Sequence, residues 1–172
     1  MKKLLSSFIG SFILAGAFAA VLAAPAEAQT TGGPFQYYAV TPCRFVDTRP
    51  GLCPGGAPTE NCPGVPVYVR SLRTFTVKGL CGVPADAKAV SINATITLPT
   101  TFGDFRFYPT GGTSPLVSTI NFTPSDLALA NGAIVPLAAA ATLDMTTYLN
   151  SPYGTTGVDG AHLILDVTGY FK

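Results

Sequence analysis

From Phe35 onward, apolar and polar residues alternate over short runs, and turn residues separate the runs. A period of two is the mark of a half-buried strand, because successive side chains on a strand point to opposite faces. The clearest case is Lys88 to Leu98. Val90, Ile92, Ala94, Ile96 and Leu98 make one face, and Ala89, Ser91, Asn93, Thr95 and Thr97 make the other. Similar runs are Phe35–Val40, Cys43–Thr48, Val67–Arg70, Thr74–Lys78, Asp104–Tyr108, Leu116–Phe122, Thr142–Leu149 and Ala161–Phe171. Thr41-Pro42 parts the first two. In the last, Leu163, Leu165 and Val167 share a face. Leu127–Leu137 has two readings. Asn131-Gly132 is either a hairpin turn or a bulge within one long bent strand, and the second is preferred. Ala138–Ala141 is the one helix-prone stretch, and four alanines are too few to nucleate a helix alone. Pro50–Pro66, Gly79–Ala87 and Asn150–Gly160 read as loops.

Roughly nine short strands without a helix predict an all-β fold. An antiparallel β-sandwich is preferred over a closed β-barrel, because several runs are apolar on one face and rich in Thr, Ser and Asn on the other. No full unit repeats, so a solenoid or propeller is not expected.

Residues 1–28 are of a different character. Lys2 and Lys3 precede an apolar stretch from Leu4 to Ala24, Pro25 ends it, and Ala26-Glu27-Ala28 is a small-x-small cleavage site. That is the layout of a cleavable signal peptide. Cleavage after Ala28 leaves 144 residues. Residues 29–34 then form a flexible entrance and 35–172 a single domain. No later stretch nears spanning length. The expected location is secreted or periplasmic, with no membrane span after cleavage.

The chain carries ten basic and nine acidic residues. Loss of Lys2, Lys3 and Glu27 leaves eight of each, which offers no electrostatic footprint for nucleic acid or an anionic surface. All four cysteines, Cys43, Cys53, Cys62 and Cys81, lie beyond the leader. In an exported chain an even count reads as disulfides. Of three pairings the nested one is preferred, with Cys53–Cys62 closing the Pro/Gly-rich loop inside Cys43–Cys81. No Cys-x2-4-Cys knuckle exists and the lone His162 is distant, so a zinc site is not expected.

Cys43-Arg44-Phe45-Val46-Asp47-Thr48-Arg49 concentrates charge in a chain otherwise poor in it. On a regular strand Arg44 points away from Asp47 and Arg49. Asp166 stands among Leu163, Ile164, Leu165 and Val167, and a buried carboxylate needs a partner. The expectation is that Asp47, Asp166 or both pair with Arg44 or Arg49 and lock the first strand to the last. The catalytic alternative, Asp47 and Asp166 as an acid/base pair, lacks a cleft and aromatic subsites in the sequence. His162 has no nucleophile elbow to serve, since Ser114 lies outside any Gly-x-Ser-x-Gly frame. Gly55-Gly56 has no phosphate-binding context. Glu60 alone cannot build a calcium cage. No cofactor and no metal are expected.

Seven Tyr, eleven Phe and no Trp complete the inventory. Tyr37, Tyr38, Tyr148 and Tyr153 are the candidate ligand-facing aromatics, and Phe102, Phe105 and Phe107 are expected to pack. Thr74/Thr76 and Thr95/Thr97 are too scattered for an ice-binding array.

Three boxes, taken in order, resemble a recurrent β module of secreted bacterial proteins. They are Pro42 to Arg49, Cys81-Gly82-Val83-Pro84-Ala85 running to Asn93, and Leu165-Asp166-Val167-Thr168-Gly169-Tyr170-Phe171. The resemblance spans nearly the whole mature chain. It implies export and a β module with no established activity, and it implies a Cys43–Cys81 bridge, with Cys53–Cys62 a local addition. The expected function is therefore a non-catalytic, disulfide-stabilised structural or adhesion module. Its partner would be an envelope or surface protein, a glycan or a second copy. A glycan-binding module is the alternative, and a hydrolase comes third.

Overall fold

β-branched and aromatic residues at alternate positions build nine strands, described here from a computed structural model for residues 33–139 and 144–172. The leader 1–28 and most of the segment 29–34 lie outside the described residues, as do 140 and 141 of the alanine run. The strands are β1 (Tyr37–Asp47), β2 (Val67–Tyr68), β3 (Leu72–Phe75), β4 (Ala89–Thr97), β5 (Gly103–Pro109), β6 (Ile120–Phe122), β7 (Ala128–Pro136), β8 (Met145–Asn150) and β9 (Gly160–Phe171). Among the described residues there is no α-helix, only a 3-10 turn at Thr59–Asn61.

The strands form two antiparallel sheets and neither closes into a barrel, so the fold is a β-sandwich. One sheet has the order β1-β9-β4-β7, with β2 also paired to β9. The other has the order β3-β8-β5-β6. The last strand is thus central. It pairs with β4 along one side, and with β1 and then β2 along the other. Gly160 makes the β2 contact possible, because a Cβ there would collide with the carbonyl oxygen of Val67.

Alternation on β4 follows the sequence: Val90, Ile92, Ala94 and Ile96 are buried. They meet Phe75, Phe105, Phe107, Met145 and Leu149 of the second sheet, with Leu163, Leu165 and Val167 beside them. Leu98 departs from the pattern. It lies beyond the end of β4 at φ 53° and is exposed, because the chain there turns into a loop. Leu127–Leu137 holds one strand, β7, with an unbroken register against β4. Leu116–Phe122 shortens to β6, and Leu116 and Val117 are exposed.

The first two expected strands merge into β1. Between Ala39 and Cys43 the register against β9 slips, so that Val40, Thr41 and Pro42 oppose Thr168 alone. Proline lacks the N–H that a ladder needs, and an irregular edge is where a strand accepts it. A second slip lies between Arg44 and Val46. The extra residue, Phe45, allows Phe45 and Val46 both to be buried. It also inverts the parity of everything after it.

Candidate functional site

The inversion at Phe45 sets the geometry of the charged cluster. In the register Arg44 stands opposite Asp166, and Asp47 stands opposite Ile164. Asp166 and Ile164 are two apart on β9, so Arg44 and Asp47 share the outer face of the sheet. The regular-strand expectation had them opposed, and the bulge is the reason they are not. The result is an alternating row of four charges, Asp166, Arg44, Asp47 and Arg49. Arg44 donates from Nε to Asp166 Oδ1 at 2.8 Å and from Nη2 to Oδ2 at 3.3 Å, a two-pronged contact between first and last strands. Arg44 Nη1 also reaches Asp47 Oδ2 at 3.4 Å. Arg49 donates to Asp47 from Nε (2.9 Å), Nη2 (2.7 Å) and its backbone N–H (3.1 Å).

Asp47 is 1% exposed. Burial by itself would push its carboxyl up. The side-chain and backbone hydrogen bonds from Arg49, with the charges of Arg49 and Arg44, outweigh that and hold it below the ordinary carboxylate value. The hydrogen bond to Asp166 raises Arg44 in turn, and the bond to Asp47 raises Arg49.

Next to this row Thr48 prolongs the strand pairing. Its N–H donates to Leu163 O at 3.0 Å, and its hydroxyl accepts from Leu163 N at 2.8 Å. His162 Nδ1 lies 3.0 Å from Thr48 O. The imidazole is therefore held against Thr48, whose hydroxyl lies 3.2 Å from the same nitrogen, and not against a serine.

Both disulfides are nested, Cys43–Cys81 and Cys53–Cys62. The outer one ties β1 to the turn 79–83, where Cys81 (φ 52°) and Gly82 (φ 77°) both take left-handed backbone. Beside it lies a cleft of about 270 Å³ bordered by Arg44, the Cys43–Cys81 bridge, Gly55, Gly56 and Gly79. Among the described residues no carboxylate or imidazole borders it.

The inner disulfide holds a residue that sequence reasoning missed. Asn61, fully buried, donates from Nδ2 to Phe45 O (2.8 Å) and Thr76 O (2.7 Å) and accepts from Thr76 N at Oδ1 (3.0 Å). Its amide acts as a missing strand between β1 and the chain after β3. Only its place beside Cys62 in a closed loop could have drawn attention to it. Asp144 was missed too. It is 2% exposed, and its Oδ2 accepts from Val77 N and Lys78 N, both at 2.7 Å, while Lys78 Nζ lies 3.6 Å from Oδ1. On the second sheet Asp104 takes Arg106 Nε at 2.7 Å and Asn150 Nδ2 at 2.8 Å.

The four candidate tyrosines do not come together. Tyr37 and Tyr38, adjacent on β1, lie against Phe171 and Tyr170 respectively at the C-terminal end of β9. Tyr153 lies in the loop that leads into β9, so the length of that strand, roughly 35–40 Å, separates them. Tyr148 sits on β8, paired in register with Leu72 and Arg106. Phe105 and Phe107 are buried, but Phe102 is 52% exposed and meets Tyr153 edge-on, with ring centroids 6.0 Å apart. Phe102 belongs to the surface because the loop after β4 carries it past the end of the core.

Among the described residues no three His, Cys, Asp or Glu side chains gather in a way that could hold a metal ion. No helix there is long and apolar enough to cross a membrane. No family model matches the chain, and no curated protein matches it significantly. Fold and site together define a class, a disulfide-stapled β-sandwich whose first and last strands are bound by an arginine–carboxylate row.

Proposed function

We propose that the chain is a non-catalytic structural or adhesion module that works outside the cytoplasm, secreted or periplasmic after loss of residues 1–28. The observation that carries this reading is how the chain spends its charged groups. Asp47, Asp104 and Asp144 are buried and each is engaged by an arginine, a lysine or backbone N–H groups. Asp166 is taken by Arg44, and His162 by Thr48. A general acid or base needs a proton-accepting atom free to face a substrate. Each of these groups is engaged by another part of the fold. Two disulfides in so small a domain suit an oxidising compartment, and the three sequence boxes resemble exported bacterial modules.

The test is the oxidised protein beginning at Gln29, assayed against glycosides, esters and peptides and on a glycan array. No turnover is expected. Turnover abolished by Asp47→Asn or His162→Ala, with the fold retained, would overturn the proposal. Glycan binding is the second reading, favoured by the exposed Phe102–Tyr153 pair. Sugar rings stack on such side chains. Array binding that disappears in Tyr153→Ala and persists in Tyr37→Ala would establish it in place of the first.

A further inference from the structure

The loop of residues 50–66 has almost no apolar anchorage. Among the described residues of that range, Asn61 alone is buried. The loop's backbone hydrogen bonds, Ala57 N–H to Pro54 O, Asn61 N–H to Pro58 O and Cys62 N–H to Thr59 O, stay inside it. The side-chain bonds that reach the rest of the fold come from two neighbours. Asn61 engages Phe45 O and both backbone groups of Thr76, and Glu60 Oε1 accepts from the Thr76 hydroxyl at 3.1 Å. A segment with so few buried apolar contacts opens locally, at a free energy well below that of global unfolding. The covalent tie beside Asn61, Cys53–Cys62, is what keeps this one shut.

The two bridges differ in setting. Cys43 and Cys81 pack against the hydrophobic core. Cys53 is exposed and Cys62 half-buried at the two ends of the loop's tip. Thiol–disulfide exchange needs a thiolate to reach a sulfur, so access decides which bridge reacts first.

We infer that Cys53–Cys62 is a redox latch on this loop, opened by a dithiol reductant while Cys43–Cys81 stays closed. One thiolate of the dithiol attacks Cys53 Sγ, and Cys62 Sγ leaves as a thiolate and takes up a proton. The second thiolate attacks the mixed disulfide, and Cys53 Sγ leaves and is protonated in turn. The protein gains two electrons and two protons, and the dithiol becomes a disulfide. With the ring open, Asn61 is held by hydrogen bonds alone. Its withdrawal frees Phe45 O and the Thr76 backbone groups. Gly55, Gly56 and Ala57 of the same loop form one wall of the cleft beside Arg44, so that wall leaves with it. Coupling of this kind is reciprocal. The bonds that seat Asn61 favour the closed bridge, and the closed bridge favours a seated Asn61. The latch belongs to the folded domain and holds whatever that domain binds.

The test is a dithiothreitol titration of the oxidised protein from Gln29 without denaturant. Free thiols are alkylated and mapped by mass spectrometry, and hydrogen exchange is read at Thr76 N–H, which donates to Asn61 Oδ1. Cys53 and Cys62 should be alkylated at a reductant concentration at least ~10-fold below that needed for Cys43 and Cys81. In that half-reduced species Thr76 should exchange at least ~10-fold faster while β4 amides keep their protection. Asn61→Ala should shift reduction of the inner bridge by at least ~10-fold in the dithiol-to-disulfide ratio, about 30 mV. Should that variant fail to fold, the two wild-type measurements decide. Reduction of the outer bridge first, or of both bridges together with global unfolding, overturns the inference. So does a reduced inner bridge with Thr76 exchange unchanged, or a folded Asn61→Ala variant with the wild-type reduction midpoint. Turnover in the enzyme assay would remove the module reading and leave the latch standing.

Discussion

Asp47 shows how one residue couples the fold to pH. Its folded pKa lies below the ordinary value of about 3.9. Between the two values the unfolded chain binds more protons than the folded one, so stability rises with pH across that window. The contribution is fully present above about pH 4 and is lost as pH falls through the folded value. Asp47→Asn should cost about 2 kcal/mol at pH 7, measured by urea unfolding, and should flatten the acid limb of the stability profile. Asn61 makes a sharper prediction. Its amide donates to two carbonyls and accepts from one N–H in a fully buried site. Asn61→Ala leaves all three groups without that partner and should cost about 3 kcal/mol. Asn61→Asp has the same shape but cannot donate while ionised, so it should fare no better. If Asn61→Asp matches wild type in the same unfolding experiment, the bridging role is wrong.

At the scale of elements, the two disulfides close loops of unequal length, with sequence separations of 38 and 9. The chain-entropy model assigns the outer bridge about 3.9 kcal/mol and the inner about 2.7. The paired change Cys43→Ser with Cys81→Ser should therefore lower the melting temperature by roughly 10 °C, and more than Cys53→Ser with Cys62→Ser if loop closure alone decides. The inner bridge also seats Asn61. A larger loss from the inner pair than from the outer would mean that Asn61 is displaced when its loop opens, and calorimetry on the two variants distinguishes these cases.

For the whole molecule, the central place of β9 has a consequence for folding. β1, β2 and β4 all pair with it. Of the first sheet, only the β4–β7 pair can form before the last dozen residues are available. A chain ended at Asp159 should stay unfolded by circular dichroism and be cut rapidly by protease, although it retains both disulfide-forming pairs and most of the core. Long-range closure of this kind is slow compared with local pairing.

What could be read from the chain itself was whatever depends on local alternation and local chemistry. The period of two defined β4 and β9, the turn residues defined most loops, and isolated charges in an apolar setting singled out Arg44, Asp47, Arg49 and Asp166. Side-chain direction on a regular strand follows from sequence position alone. The tertiary structure decided whatever depends on a partner strand. The extra residue at Phe45 exists only relative to β9, and it turned Arg44 and Asp47 to one face. Asn61 and Asp144 satisfy backbone groups 15 or more residues away, which no window along the sequence contains. The four tyrosines were alike in sequence and were distributed by topology to distant places, while Phe102 became the exposed neighbour of Tyr153. The edge position of β7 is likewise a property of sheet order, since among the described residues it pairs with β4 alone.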